Sequence, residues 1–534
     1  MSDLLAVQGY TLDYLAAKGP MRVLDEVSLT IAPGEVLGLV GESGSGKSTL
    51  AFAVMRDLPR NARERAGSIS FLGEDLIGIG EARLSELRGR RIAMVFQDPT
   101  ASLNPTLTLG RQLTEVLTSH LGLRPDAASS EGIELLRRVE LRDPEAMMRR
   151  YPHEVSGGEK QRVVIATALA CRPDLIIFDE PTTALDVITG ARILDLFGRL
   201  RAETSVAGLY ISHDLALVSR IADRVAVIRA GRIIETEPAG KVFVAPKEAY
   251  TRALVDAVPR PSRRLVADEP SATKLIDLHD VSVSYSRPSL LRRHPTPAAR
   301  HVSLELRKGE ILGVVGESGS GKSTLARAMT GLARFTGEIR LRDRRITGRA
   351  DMDSPYRRAV QIVFQHPDAS LNPRHRVSDI LARPLSLFGG RPSEIPRLLE
   401  EVRLPAGYAR RYPHQLSGGE KQRVAIARAF AARPELVICD EVTSSLDVSV
   451  QASVIELLLS LRARHGTAYA FITHDLNLVR QIAHRIAVMR GGELIDLLDA
   501  DAFESEHAHP YTRELIAACP VPVGEAPSNV GGPR

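Results

Sequence analysis

The chain has 534 residues, of which 44% are hydrophobic and 25% charged, a balance typical of a soluble globular protein with a sizeable core. This length predicts two or more domains. Its 70 basic and 65 acidic residues give a net charge of +5 with both signs interspersed. This is only weak evidence for a nucleic-acid partner, and a solvated surface with a slight basic excess is favoured.

The sequence has no apolar run of about 18 residues and begins without a secretory signal pattern, so we expect neither a membrane span nor export. The three cysteines, Cys171, Cys439 and Cys519, lie far apart and show no metal-ligand spacing. A reducing, cytosolic setting is therefore expected.

The first motif along the chain is VGESGSGKSTLA, at residues 40–51, between the apolar run EVLGLV and a helix-like pattern. Strand, glycine-rich loop and helix in this order indicate a phosphate-binding P-loop. Lys47 is expected to reach the β- and γ-phosphates and Ser48 to bind magnesium, because glycines let backbone N–H groups converge on phosphate oxygens. The predicted nucleotide contacts are Gly41, Glu42, Ser43, Gly44, Ser45, Gly46, Lys47, Ser48 and Thr49.

Four further segments follow in the first half: VFQDP with Gln97, SGGEKQR from Ser156, LIIFDE ending at Glu180, and ISHD with His213. In SGGEKQR the S-x-x-E pattern is a capping box that starts a helix. The free N–H groups and dipole of such a helix start favour an anion. We therefore expect Ser156, Gly157 and Gly158 to contact a phosphate.

The second half repeats the whole set in the same order. VGESGSGKSTLA returns at residues 315–326, and it is followed by VFQHP, SGGEKQR, LVICDE and ITHD. We call SGGEKQR the signature segment and its serine the signature serine. The separation from this serine to the last glutamate of LIIFDE or LVICDE is the same in both halves, and so is the separation from that glutamate to the histidine. This agreement indicates duplication of a whole domain. The nucleotide contacts predicted here are Gly316, Glu317, Ser318, Gly319, Ser320, Gly321, Lys322, Ser323, Thr324, Ser417, Gly418 and Gly419.

At these residues the chain resembles the ATP-binding cassette (ABC) ATPases, from about residue 4 to about residue 516. The resemblance implies an α/β fold with two tandem nucleotide-binding domains. Each would have a P-loop, RecA-like α/β core, an antiparallel β subdomain and a helical subdomain. The expected division is residues 1–259, a linker rich in Pro, Arg and Ser at 260–274, a second domain at 275–520, and a disordered tail at 521–534.

The resemblance also assigns roles to residues, with ATP as substrate and Mg²⁺ as cofactor. Glu180 and Glu441 would polarise the attacking water, and His213 and His474 would contact the γ-phosphate. Tyr14 and Tyr285 would stack on adenine, although Tyr14 could instead be core. The expected Mg²⁺ ligands and sensors are Ser48, Gln97, Asp179, Ser323, Gln365 and Asp440.

In ABC proteins two cassettes dimerise head to tail, so a chain with two cassettes would carry both halves of the sandwich. The resemblance then implies that Ser417 and Gly419 cap the nucleotide on Lys47, and that Ser156 and Gly158 cap the one on Lys322. One departure is Val442, which stands where proline is usual and weakens the expectation of equal turnover at the two sites.

The segments DPTASLNP and HPDASLNP, and the tails AYTRALVDAVP and HPYTRELIAACP, resemble the ATPases of peptide, opine and nickel importers. This predicts an ATP-hydrolysing subunit that docks on two transmembrane permease subunits at the cytoplasmic face of the inner membrane. An extracytoplasmic solute-binding protein would deliver cargo through the permeases. No iron–sulfur cluster is expected, because only Cys519 stands where related proteins carry a cysteine cluster.

The alternative is a soluble tandem-cassette ATPase that acts on ribosomes or DNA. The ribosomal class carries a long, charged helical linker and the DNA-repair class carries zinc cysteines, and this sequence has neither. The importer is therefore favoured. A basic insertion at residues 286–301 is most simply a solvated loop, with contact to lipid headgroups as the other interpretation.

Overall fold

The computed structural model of the protein describes residues 3–16, 19–182, 185–266, 268–286, 295–444 and 446–520. Within these ranges, the residues form two units that have most of their contacts internally. The first unit ends at Val258 and the second begins at Pro259. Each unit contains one of the two P-loops. Half of the basic insertion, residues 287–294, and the predicted disordered tail, residues 521–534, lie outside the described residues.

The first unit contains two sheets. A four-stranded antiparallel sheet has the order β2-β1-β4-β5, and a six-stranded sheet has the order β10-β9-β3-β8-β7-β6, in which only β10 runs antiparallel to its neighbour. The strands are β1 (Leu5–Ala16), β2 (Gly19–Ile31), β3 (Val36–Val40), β4 (Ala62–Phe71), β5 (Glu74–Asp75), β6 (Ile92–Val95), β7 (Leu175–Asp179), β8 (Ala207–Ile211), β9 (Arg224–Arg229) and β10 (Arg232–Pro238).

Helices cover the six-stranded sheet and form the helical segment between β6 and β7. They are α1 (Lys47–Val54), α2 (Glu81–Leu87), α3 (Pro99–Ser102), α4 (Leu109–Leu121), α5 (Pro125–Arg138), α6 (Pro144–Met147), α7 (Gly157–Leu169), α8 (Val187–Thr204), α9 (Leu215–Ile221), α10 (Ala239–Val244) and α11 (Ala249–Asp256).

Strand β3, with the sequence VLGLV, is buried along its whole length. Side chains alternate between the faces of a strand, so Val36 and Val40 enter a core shared with α4, α7 and α8. Leu37 and Leu39 enter the opposite core, shared with α1 and the antiparallel sheet. Burial on both faces explains the continuous apolar run. It also holds the P-loop, which follows β3, on a rigid support.

The second unit repeats this architecture, with sheet orders β12-β11-β14-β15 and β16-β17-β18-β13-β19-β20. Its strands are β11 (Lys274–Ser286), β12 (Pro295–Arg307), β13 (Ile311–Val315), β14 (Thr336–Leu341), β15 (Arg344–Ile346), β16 (Val360–Val363), β17 (Leu436–Asp440), β18 (Ala468–Ile472), β19 (Arg485–Arg490) and β20 (Glu493–Asp499). Its helices are α12 (Lys322–Met329), α13 (Ser354–Ala359), α14 (Pro367–Ser370), α15 (Val377–Leu387), α16 (Ile395–Glu401), α17 (Gly418–Phe430), α18 (Val448–His465), α19 (Leu476–Ile482) and α20 (Pro510–Ala518).

The predicted fold class is confirmed. Each unit has a largely parallel α/β core, an antiparallel β subdomain and a helical segment. The helical segment lies between Gln97 and Ser156 in the first unit, and between Gln365 and Ser417 in the second. Across the described ranges, no helix has both the length and the apolar character needed to cross a bilayer.

The described residues of the predicted linker lie against the second unit. Gln481 donates from Nε2 to the Arg260 carbonyl at 2.8 Å, and its own carbonyl accepts the Leu265 N–H at 2.9 Å. The guanidinium of Arg264 donates to the Arg480 carbonyl at 2.6 Å, and Val266 is buried. This stretch is therefore fixed along α19 by backbone and side-chain hydrogen bonds.

Candidate functional sites

The predicted catalytic residues of the first unit meet because the strands that precede them are neighbours. Strands β3, β8, β7 and β6 lie side by side and parallel, and the P-loop follows β3. His213 follows β8, Glu180 follows β7 and Gln97 follows β6. The carboxyl ends of parallel strands share one edge of the sheet, which is where open α/β sheets bind ligands. The second unit places His474, Glu441 and Gln365 after its own parallel strands.

The P-loops adopt conformations that require glycine. Gly41 has φ 159°, and an added Cβ would lie 2.2 Å from the carbonyl oxygen of Ile228. At Gly316 an added Cβ would lie 2.1 Å from the carbonyl oxygen of Met489. No side chain fits at such distances, so both positions require glycine. The loop therefore offers N–H groups to an anion without obstruction.

Both P-loop lysines are buried and turn onto their own loops. Lys47 Nζ donates to the carbonyl oxygens of Gly41 at 2.8 Å and Glu42 at 2.9 Å. Lys322 Nζ donates to the matching carbonyls of Gly316 and Glu317 at 2.7 and 2.8 Å. Phosphate oxygens entering the loop would bring negative charge within reach of each ammonium.

Each P-loop serine is joined to the aspartate at the end of a neighbouring strand. Ser48 Oγ donates to Asp179 Oδ1 at 3.0 Å, and Ser323 Oγ donates to Asp440 Oδ1 at 2.8 Å. Burial raises the pKa of both aspartates, and the charge of the adjacent glutamate adds to this, whereas the serine hydrogen bond opposes it. A buried carboxylate of this kind is stabilised by a cation, and the oxygen-only donor set fits Mg²⁺.

A glutamine and a histidine hold the glutamate of each site. Gln97 Nε2 donates to Glu180 Oε2 at 3.0 Å, and His213 Nδ1 lies 3.2 Å from Glu180 Oε1. Glu180 has φ 49°, a left-handed conformation that is strained in a non-glycine residue and clusters at functional sites.

In the second unit, Gln365 Nε2 donates to Glu441 Oε2 at 2.8 Å, and His474 Nδ1 lies 3.7 Å from the same oxygen. The nearby His474 ring lowers the pKa of Glu441, although burial opposes it. Burial alone would lower the pKa of His474, but the interactions with Glu441 and the charge of Asp475 together raise it. Glu441 also has a left-handed backbone, with φ 51°.

The two signature segments form the expected capping boxes. Ser156 Oγ accepts the Glu159 N–H at 3.3 Å, and Glu159 Oε2 accepts the Ser156 N–H at 2.8 Å. Ser417 and Glu420 repeat these bonds at the same distances. The serine and the following glycine are exposed in both units. The start of each signature helix is therefore accessible to an anion.

The two predicted adenine-stacking tyrosines differ in exposure. Tyr14 is half-buried in β1, and its hydroxyl lies 3.4 Å from Thr49 Oγ1, next to the P-loop. Tyr285, at the end of β11, is 42% exposed. The nearby Tyr10 is fully buried and donates to Glu64 Oε1 at 2.6 Å, so Tyr10 is the core residue of the pair.

Sequence patterns missed one contact at each P-loop. The hydroxyl of Tyr250 in α11 accepts the N–H of Glu42 at 3.3 Å, and that of Tyr511 in α20 accepts the N–H of Glu317 at 2.9 Å. The only signal in the sequence was the Tyr-Thr-Arg triplet that the two tails share. Because the tails follow the P-loops by about two hundred residues, no local pattern predicts that they meet.

Two family models match the chain. The model described as "ABC transporter" matches residues 24–183 and again residues 299–444. The model described as "Oligopeptide/dipeptide transporter, C-terminal region" matches residues 234–282, which include the tail of the first unit.

Similar proteins align over nearly the whole chain. The peptidoglycan transport ATP-binding protein YejF of Agrobacterium fabrum is 41% identical, and the alignment covers 96% of this chain and 96% of that protein. The glutathione import ATP-binding protein GsiA of Salmonella typhimurium is 40% identical, over 97% of this chain and 90% of that protein. Among solved structures, the cassette MJ0796 with ADP and Pi covers 44% of this chain, at 27% identity and a TM-score of 0.40.

Proposed function

Because this chain belongs to the ABC transporter family of ATPases, as its sequence predicted, we propose that it is the ATP-hydrolysing subunit that energises a bacterial importer of small peptide-like solutes. One observation carries the proposal. In each unit, a P-loop lysine, a serine–aspartate pair and a glutamate held by glutamine and histidine lie at one edge of that unit's own six-stranded sheet. Since each unit contains the complete set, we propose that both hydrolyse ATP.

The loop amides and the lysine of each unit bind the phosphates of ATP in this proposal. When ATP binds, Lys47 and Lys322 donate to phosphate oxygens instead of to the loop carbonyls. This change adds charge pairing and requires little rearrangement. Ser48 with Asp179, and Ser323 with Asp440, would hold Mg²⁺. That ion would neutralise phosphate charge and polarise the phosphoryl oxygens.

The glutamate of each unit orients the attacking water. Glu180 and Glu441 are each held by two neighbours, so the carboxylate oxygens are fixed rather than free to rotate. Fixed orientation of a general base lowers the barrier because less ordering remains to be done at reaction. The raised pKa of His474 keeps more of it protonated near neutral pH, which suits a contact with the γ-phosphate.

We further propose that each signature helix serves the nucleotide on the other P-loop, as the family resemblance implies. Ser417 and Gly419 would then cap the nucleotide on Lys47, and Ser156 and Gly158 the one on Lys322. Two observations support an anion at these helix starts. The serines cap their helices, and the glycines beside them leave backbone N–H groups exposed.

As the ATPase of an importer, the chain would act with two transmembrane permease subunits and receive cargo from an extracytoplasmic binding protein. It would bind the cytoplasmic face of the membrane peripherally. The relatives named for peptidoglycan transport and for glutathione import suggest a peptide-like cargo. The soluble ribosome- or DNA-directed alternative has no counterpart among these relatives.

The test of the catalytic assignment is the pair of substitutions Glu180→Gln and Glu441→Gln, made in the chain assembled with its permeases. Glutamine keeps the size of the side chain and one acceptor oxygen but removes the base. ATP should still bind, while hydrolysis falls by about 10²–10⁴-fold. Hydrolysis at the wild-type rate by the double variant would refute the assignment, and the two single variants would show whether both sites turn over.

The importer is tested by reconstituting the chain with permease subunits that co-purify with it and measuring ATP-driven uptake. Glutathione and peptidoglycan-derived peptides are the probes, with an unrelated sugar as the control. Uptake of one peptide-like probe, lost in the Glu180→Gln and Glu441→Gln double variant, is expected. ATPase activity that responds to ribosomes or DNA, and not to permeases, would instead support the soluble alternative.

A further inference from the structure

The tail helix of each unit contacts the P-loop through one tyrosine. Tyr511 is buried, and its hydroxyl accepts the Glu317 N–H at 2.9 Å. Tyr250 occupies the corresponding place in the first unit and accepts the Glu42 N–H at 3.3 Å. The arrangement occurs twice in one chain, on two units that share the fold but differ in sequence. The same contact is therefore present at both P-loops.

The tyrosine and the P-loop lysine hold opposite ends of the same peptide group. The Gly316–Glu317 peptide donates its N–H to Tyr511, and its carbonyl accepts from Lys322 Nζ at 2.7 Å. In the first unit the Gly41–Glu42 peptide is bonded in the same way, by Tyr250 and by the ammonium at 2.8 Å. Such a chain of hydrogen bonds fixes the plane of the peptide.

Each tyrosine ring is itself held from the sheet. The guanidinium of Arg490 lies 4.6 Å from the centre of the Tyr511 ring, and Arg229 lies at the same distance from Tyr250. These arginines end β19 and β9, the strands that pair with the P-loop strands β13 and β3. A cation over the ring face favours this ring position. The tyrosine thus joins the P-loop to the next strand of its own sheet.

A carboxylate on the edge strand fixes the start of each tail helix. In the second unit Asp496 Oδ2 accepts the His509 N–H at 2.8 Å and the Thr512 hydroxyl at 2.5 Å. In the first unit the buried Glu235 accepts the N–H groups of Lys247 at 2.9 Å and Glu248 at 3.2 Å. Both helices therefore begin at a fixed position, which sets where the tyrosine hydroxyl reaches the P-loop.

We propose that Tyr511 and Tyr250 are positioning residues of the two ATP sites. Each orients the first peptide of its P-loop, and through that peptide the lysine ammonium that binds the phosphates. The proposal rests on the proposed ATPase function, and its first test does not depend on transport. Because the bond at Tyr511 is shorter and more buried, its loss should have the larger effect.

The test uses Tyr511→Phe in the full-length chain, since phenylalanine keeps the buried ring and removes only the hydroxyl. Tyr469→Phe is the matched control. Tyr469 is also buried in the second unit and donates to the Leu458 carbonyl at 2.7 Å, away from the P-loop. The first readout is hydrogen exchange of the nucleotide-free chain, measured on peptides that cover residues 314–322. Exchange of the Glu317 amide should accelerate about two- to tenfold in Tyr511→Phe, the range for one net hydrogen bond, and not in the control.

The second readout is binding of a non-hydrolysable ATP analogue in a Lys47→Ala background, which confines binding to the second P-loop. Affinity should fall by about two- to tenfold in Tyr511→Phe and stay unchanged in Tyr469→Phe. In the transporter the KM for ATP should rise while kcat is retained. If Tyr511→Phe matches Tyr469→Phe in both exchange and affinity, the positioning role is refuted. Failure of the reconstituted transporter alone, with exchange and affinity altered as expected, would count against the importer and leave the positioning role supported.

Discussion

Replacing Asp268 by alanine is expected to destabilise the second unit and leave the first unchanged. Asp268 lies in the predicted linker, and its two carboxylate oxygens accept from the guanidinium of Arg462 at 3.0 and 2.7 Å. Arg462 Nε donates to the Gly309 carbonyl at 2.7 Å, just before β13. The linker carboxylate is therefore bonded to a side chain that supports the strand leading into the P-loop.

The first unit shows what Asp268 replaces. Arg201 there corresponds to Arg462, and its carboxylate partner is Asp223 at 2.6 Å, a residue of the unit's own core fold. His484 stands at the matching position of the second unit, where its Nδ1 accepts the Ile311 N–H at 2.9 Å. With histidine in place of aspartate, the second unit takes the missing carboxylate from the linker.

The magnitude follows from the exposure of the two partners. The Arg462 side chain is 9% exposed, so its charge is largely removed from water, whereas the Asp268 side chain is 61% exposed. Breaking a fully buried pair costs about 3–5 kcal/mol, and an exposed pair contributes about 0–1 kcal/mol. A half-exposed bidentate pair lies between these limits, so we expect a loss of about 1–2 kcal/mol. For a unit of this size the melting temperature then falls by about 2–8 °C.

Scanning calorimetry of the full-length chain measures this, with each transition assigned to a unit by hydrogen exchange because a two-unit chain has no single unfolding free energy. Glu269→Ala is the control, since Glu269 is the exposed neighbouring acid. Only Asp268→Ala should lower the transition of the second unit. Equal shifts in the two variants, or a shift in the first unit, would show that the linker contact does not support the second unit.

Four further outcomes are expected. Ser417→Arg should impair turnover at the Lys47 site and spare nucleotide capture at Lys322, and the reverse pattern in a single-site assay would exclude capping across the halves. Asp440→Asn should weaken Mg²⁺-dependent binding of ATP at the second P-loop more than metal-free binding, as titration with and without EDTA would show. Burial lowers the pKa of His484, so as pH falls this histidine is protonated more readily in the unfolded chain than in the folded one. The second unit should therefore lose stability below about pH 6.5. Melting followed from pH 7 to 5 should show a smaller loss in His484→Asp. One copy of the chain should serve two permease subunits, and native mass measurement that finds two copies per permease pair would contradict this.

Much of the ATP site could be predicted from the sequence because its parts are local. The glycine loop between a buried strand and a helix, and the capping box at Ser156, each depend on residues within a few positions of one another. Physical rules that act over one turn or one strand suffice for them. The ordered recurrence of these local segments indicated the family, and with it the two α/β units that the structure contains.

The tertiary structure decided how these segments meet. Glu180 receives its hydrogen bond from Gln97 and its contact from His213 because β6, β7 and β8 are adjacent. These residues lie beside the P-loop because β8 pairs with β3, a strand far from it in the sequence. The sequence identified these residues, and the family resemblance indicated that they form one site. The distances between their side chains depend on the order of the strands in the sheet. The same holds for the raised pKa of Asp179, which depends on burial by elements distant in sequence.

By itself, then, the sequence predicted which residues bind phosphate and ligate Mg²⁺, and it determined where each signature helix starts, since spacing and residue type are enough for that. Only the tertiary structure joined Tyr511 to the P-loop and Asp268 to Arg462. Neither pair belongs to a periodic pattern or a short motif, and composition alone indicated a plain linker at residues 260–274. Each of these contacts joins residues about two hundred positions apart. They depend on how the folded chain packs, so rules that act between neighbouring residues cannot predict them.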